Sequence, residues 1–143
     1  EANGGSFRRC ARRKLQRETP LSSALDANMT SIACALSRAA SCWPDGAATV
    51  CQGETQTWAE VEAAVDALHT FLIGPLRLVR GDRLGILARN SAVYLHYIFA
   101  AAKAGVTLVA LNVQWSHREI AHALEDAGAS VCVFAGEFAE VAA

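Results

Sequence analysis

From Asn28 onward apolar residues recur at three- and four-residue spacing, at Ile32, Ala35, Leu36 and Ala39, the period that lines one face of a helix. Trp43-Pro44-Asp45-Gly46 stops that helix, because proline and glycine together favour a turn. Ala47 to Cys51 reads as a short strand, Gln52-Gly53-Glu54 as a turn and Thr55 to Thr57 as a second strand, so a small hairpin is predicted. Thr57-Trp58-Ala59-Glu60 has the spacing of a capping box, in which hydroxyl and carboxylate each satisfy a backbone N–H left open at a helix start. The helix it opens runs to about Leu72, with Val61, Ala64, Val65, Leu68, Phe71 and Leu72 on one face and Glu60, Glu62, Asp66 and His69 mostly away from it. Gly74-Pro75 breaks it.

The second half changes pattern. After the Gly81-Asp82 turn, Leu84 to Ala88 is a nearly continuous apolar run, as in strands covered on both faces. Asn90-Ser91 caps an almost wholly apolar helix from Ala92 to Ala104, buried on most sides, with Gly105 suited to the left-handed turn that ends it. Val106 to Leu111 is the second strand of this type. Ser116-His117-Arg118-Glu119 is another capping box, opening a helix that stops at Gly128, and Ala129 to Phe134 is the third strand. Strand, helix, strand, helix, strand is the alternation of a parallel sheet with right-handed crossovers. Glu137 to Ala143 reads as the start of one more helix.

Composition narrows the class. The 143 residues are 52% hydrophobic and 19% charged, too apolar for a disordered tail and of a length for about one domain. The longest apolar stretch, Ala92 to Ala102, is interrupted by His96 and falls short of the roughly 20 residues that span a membrane. Charge is unevenly placed: Arg8, Arg9, Arg12, Arg13, Lys14 and Arg17 give the first twenty residues a net +4, and the remainder carries −5. Residues 1–20 are therefore set apart as a basic tail, fitting either a solvated segment or the remnant of an organelle transit peptide. The acidic remainder argues against a folded nucleic-acid binder. Localisation stays open among mitochondrion, plastid and cytoplasm. The first residue is Glu1 rather than Met, so the natural start is expected further upstream.

The chemistry-bearing residues assemble no site. Cys10, Cys34, Cys42, Cys51 and Cys132 form no C-x-x-C pair and read as buried free thiols. His69, His96, His117 and His122 lack metal-ligand spacing and read as solvated or half-buried. The turn after Ala88, Arg89-Asn90-Ser91-Ala92, holds no glycine, whereas a dinucleotide site needs glycines to let backbone approach the pyrophosphate. Tyr94, Tyr97 and Phe99, with Trp43, Trp58 and Trp115, read as core rather than as a stacking platform for bases. No catalytic, cofactor-binding or metal-binding residue is assigned.

Several segments, in order, carry a resemblance. They are Glu54-Thr55-Gln56-Thr57-Trp58-Ala59-Glu60-Val61, Arg80-Gly81-Asp82-Arg83-Leu84-Gly85-Ile86-Leu87, Asn90-Ser91, and above all Ala102-Lys103-Ala104-Gly105-Val106-Thr107-Leu108-Val109-Ala110-Leu111-Asn112. From about Met29 to Phe134 the chain resembles the N-terminal part of the AMP-forming acid ligases, the superfamily of acyl-CoA synthetases, luciferases and adenylation domains. Two departures stand out: Ala110 replaces the motif's proline before Leu-Asn, a change expected to alter only a turn, and Gln114-Trp115 replaces a commonly basic residue. The Trp115-Ser116 pair is similar to plastid-type 2-succinylbenzoate-CoA ligases.

The resemblance implies an α/β fold, a three-layer βαβαβ parallel-sheet part of a ligase N-terminal subdomain preceded by a helix and a hairpin, with residues 28–143 as a truncated part of the ligase domain. It implies a parent that activates a carboxylic acid, fatty or aryl, with ATP to an acyl-adenylate and passes it to coenzyme A, with magnesium beside the ATP. It also implies that the phosphate loop, the ribose-binding Asp and the lid Lys lie downstream, that the fragment's partner is the rest of its own domain, and that the fragment alone is inactive. Lys103 and Glu119 are then surface or helix-end groups. A stand-alone α/β interaction module, and a flavodoxin-like domain of unrelated function, are the competing classes.

Overall fold

The computed structural model describes residues 32–140. The basic segment 1–20, Cys10, the Asn28–Ser31 start of the predicted first helix and residues 141–143 lie outside the described residues. In order the chain forms α1 (Ile32–Cys42), the strands β1 (Ala47–Cys51) and β2 (Glu54–Thr57), α2 (Trp58–Ile73), β3 (Arg83–Leu87), α3 (Ala92–Ala104), β4 (Thr107–Ala110), α4 (His117–Ala127), β5 (Val131–Phe134) and a 3-10 turn, Gly136–Phe138. That turn stands where a further helix was expected from Glu137.

β1 and β2 pair antiparallel with Cys51 opposite Glu54, so Glu54 belongs to the strand and the turn is the two residues Gln52 and Gly53. Their φ values, 52° and 86°, are both positive, as in the type I′ turn whose twist matches a hairpin. Both capping boxes form. The Thr57 N–H donates to Glu60 Oε2 at 2.8 Å and the Glu60 N–H to Thr57 Oγ1 at 3.3 Å, so α2 starts at Trp58.

β3 is the centre of a parallel sheet of order β4-β3-β5, with Leu84 level with Leu108 on one side and Val131 on the other. Moving from β3 to β4 runs one way along the sheet; moving from β4 to β5 runs back past β3. Two crossovers of the same hand in opposite directions put their helices on opposite faces. Accordingly α3, backed by α2 and α1, covers one face, and α4 with the final turn covers the other. Alternation along the strands feeds both layers: Leu84, Ile86, Val131 and Val133 join Val61, Val65, Leu72, Tyr97 and Ala100, while Leu87, Cys132 and Phe134 join Leu111, Ile120 and Phe138. The expected α/β, three-layer βαβαβ arrangement is the one observed.

Several side chains sit differently from their sequence expectation. Trp43 and Trp115 are 67% and 37% exposed rather than in the core, while Trp58 packs against it. Their neighbouring turns lie at the rim, where no second element covers the indole. Cys132 is buried, but Cys34 and Cys51 are half-buried and Cys42 is exposed, because α1 and the hairpin form an outer layer. His96, expected solvated or half-buried, is only 5% exposed. On α1, Leu36 and Ala40 are buried while Ile32 is half exposed, so the helix is rotated from the face predicted for it.

Candidate functional site

In open α/β sheets ligands sit beyond the carboxyl ends of the strands, where crossover direction reverses. Here that edge is built by the loops after β3, β4 and β5. After β3, Ser91 Oγ accepts from the Tyr94 N–H at 3.1 Å and caps α3. After β4, Asn112 Oδ1 accepts from the Gln114 N–H at 2.9 Å, which folds the loop back toward the start of α4. There the Ser116 N–H donates to Glu119 Oε2 at 2.8 Å and the Ser116 hydroxyl donates to the same oxygen at 2.7 Å. Those bonds, the hydroxyl's first, hold the Glu119 carboxyl below the usual range.

One contact ties the first loop to the last. Arg89 Nε lies 3.4 Å from Glu137 Oε1, and its guanidinium carbon stands 5.8 Å from the centre of the Phe138 ring. The pair is exposed, so it positions the loops more than it stabilises the fold. The two residues are 48 apart in sequence; the signal that could have joined them is the pairing of Leu87 with Phe134, which sets both loops on one edge.

Lys103 lies in the last turn of α3, at the opposite end of the sheet, where its Nζ donates to Asp66 Oδ1 and clamps α3 to α2. Glu119 is held in its capping box. Neither reaches the strand ends with a free functional group.

A second polar arrangement, which the sequence did not single out, lies under the hairpin. His96 Nε2 is 3.0 Å from Gln56 Oε1, and that oxygen also accepts from Thr49 Oγ1 at 3.2 Å. Because the amide oxygen only accepts, Nε2 carries the proton in this pairing. Burial pushes the imidazole below its ordinary value of 6.5, and burial likewise pushes the neighbouring Tyr97 hydroxyl up to about 12. The pairing was illegible in sequence because its partners are 40 residues apart.

Whether the strand-end edge fits a nucleotide can be tested on its own groups. The positive ends of α3 and α4 point there, and of their leading N–H groups those of Tyr94 and Glu119 are taken by the caps Ser91 and Ser116. Among the described residues no group of three or more His, Cys, Asp or Glu is placed to hold a metal. The described residues thus supply no such cluster at this edge, and no chemical step is derived through a magnesium-bound triphosphate.

The fold and the motif order agree with one comparison in particular: residues 36–143 match the family model described as AMP-binding enzyme. The chain belongs to this family. Similar to it is the long-chain-fatty-acid–CoA ligase of Escherichia coli O6:H1, 33% identical over 97 residues, 68% of this chain and 17% of that ligase. A feruloyl-CoA synthase from an Amycolatopsis species is 43% identical over 63 residues, 44% of this chain and 13% of that enzyme. Among solved structures, the N-terminal domain of FACL13 from Mycobacterium tuberculosis aligns with a TM-score of 0.75 at 27% identity, over 79% of this chain and 29% of that one. The O-succinylbenzoate coenzyme A synthetase of Bacillus subtilis, in complex with ATP and magnesium ion, aligns at 0.62 and 31% identity, over 66% of this chain and 26% of that one. This AMP-binding enzyme chain thus spans about a sixth of the length of the fatty-acid ligase it matches.

Proposed function

We propose that this chain is the N-terminal scaffold of an acyl-CoA synthetase, a parent enzyme that joins a carboxylic acid to the α-phosphate of ATP, releases pyrophosphate, and then transfers the acyl group to coenzyme A. The observation that carries this reading is the β4-β3-β5 parallel sheet lying inside the family match over residues 36–143. The role of these residues is architectural. They present three loops at one edge, tied by Arg89 and Glu137 and by the caps of α3 and α4, against which the remainder of the ligase domain builds the nucleotide and acyl pockets. The acid is of the fatty or aryl class, a choice supported by the fatty-acid ligase and the feruloyl-CoA synthase among the relatives.

Acid-dependent exchange of pyrophosphate into ATP tests the reading. Residues 1–143 alone give no exchange above background, and the same chain joined to the downstream part of its open reading frame gives exchange that requires magnesium and a fatty or aryl acid. Exchange by the 143 residues alone would overturn the claim that the reacting groups lie elsewhere; no exchange by the extended chain with either acid class would overturn the synthetase reading. For the compartment, the Arg-rich first twenty residues support a mitochondrial or plastid destination. Import of a labelled chain into either isolated organelle tests that, and failure in both would overturn the reading that these twenty residues direct import.

A further inference from the structure

Among the described residues, His96 is the one buried histidine, 5% exposed. Its partner lies on a different element: Gln56 is on β2, and through the shared Gln56 oxygen the chain of bonds reaches Thr49 on β1. Both strands of the hairpin are therefore fastened to α3 through a single imidazole. An isolated two-stranded hairpin is marginal in water, so its order depends on such attachments and on the apolar contact of Ala48 with the core.

We propose that the His96–Gln56–Thr49 chain is an acid-sensitive latch, which holds the β1–β2 hairpin against α3 when the imidazole is neutral and lets the hairpin lift when it is protonated. The groups it faces are Gln56 and, beyond it, Thr49, both neutral; the Lys103–Asp66 pair, also between α2 and α3, is engaged with itself. A proton on Nδ1 thus places a full charge in an apolar setting with no carboxylate to balance it, an arrangement that is costly unless the ring reaches water. Lifting the hairpin exposes the ring without breaking the parallel sheet, and local opening is less costly than global unfolding. The sign follows from burial as the cause of the shift: the docked state binds fewer protons than the open one, so docking is fully stable above 6.5 and weakens as pH falls from there through the docked value. Within that window the opening constant rises by up to about tenfold per pH unit.

Hydrogen exchange on the full 143-residue chain, read as protection factors so that the intrinsic pH dependence of exchange cancels, tests the latch. Between pH 7.5 and 5, protection at Thr49 and Gln56 is expected to fall while protection at Leu84, Ile86 and Val133 holds. His96→Gln removes the titrating ring and should flatten the hairpin's response. Gln56→Glu supplies the missing carboxylate and should reverse it, so that the hairpin keeps or gains protection over the same range. A second readout is the NMR titration of the His96 ring, expected below 6.5 in the native chain and above it in Gln56→Glu. Equal loss of protection in hairpin and sheet, an unchanged hairpin, or the same acid response in Gln56→Glu would each overturn the proposal.

Discussion

Gly85 shows how one residue can be set by a neighbour far along the chain. Midway along β3, a Cβ on it would stand 2.5 Å from Leu124 Cδ2 of α4 and 3.3 Å from Cys132 Sγ. A glycine in a strand commonly marks such a close approach. Gly85→Ala should therefore cost about 1 kcal/mol, the lower part of the overpacking range because Leu124 can turn aside, and lower the melting temperature by about 4 °C. An unchanged melting curve would mean that α4 does not sit this close. Gln52 poses the opposite problem, a side chain held at φ 52° in a turn that asparagine adopts more readily. Gln52→Asn should stabilise the chain by ~0.5 kcal/mol, seen as a higher urea midpoint at unchanged slope. A lower midpoint would mean that Gln52 gains more from contacts than it loses in strain.

At the scale of the element, what was legible was local. Both capping boxes are read from four consecutive residues and both form, and Gly105 and Gly128 end their helices at φ 67° and 64°. Ser116→Ala should cost about 1 kcal/mol of stability, measured by urea unfolding at neutral pH. Its partner carries a pH signature. The Glu119 carboxyl is held below its ordinary value of 4.5 in the folded chain, so its contribution is present above 4.5 and is lost as pH falls through the folded value. The stability difference between the native chain and Glu119→Gln should accordingly shrink on acidification from pH 6 toward 3.5, and a difference that is constant with pH would show that the carboxylate does not act through its charge. What was not legible depended on partners remote in sequence. The burial of His96 needs the hairpin 40 residues earlier, and the exposure of Trp43 depends on no later element closing over α1. Strand ends moved by a residue or two, as at β3 and β5, because a continuous apolar run does not say which residue pairs first. The candidate site was legible only as a position, the edge where the crossovers reverse, since its contacts, such as Arg89 with Glu137, join separate loops.

At the scale of the whole molecule the sheet has two ends, and Ala110 bears on one of them. It was expected to affect only a turn; it is instead the last residue of β4, the edge strand in the order β4-β3-β5. The N–H groups of Thr107 and Leu111 donate toward β3, to Asp82 at 2.9 Å and Ile86 at 3.0 Å. Alternate residues of a parallel strand face the same neighbour, so the N–H of Ala110 points the other way, into the open edge. A proline at this position, as in the family motif, would remove a donor that the ladder does not use, and edge prolines hinder pairing with a second chain. Ala110→Pro should leave the unfolding midpoint nearly unchanged and reduce concentration-dependent association in sedimentation velocity. A loss on the order of 3 kcal/mol, the cost of a proline where the N–H is bonded, would mean that another strand already occupies this edge. Reduced association with retained stability would instead identify β4 as the side on which this scaffold meets further chain. That would tie the departure at Ala110 to an open edge rather than to the chemistry of the strand ends.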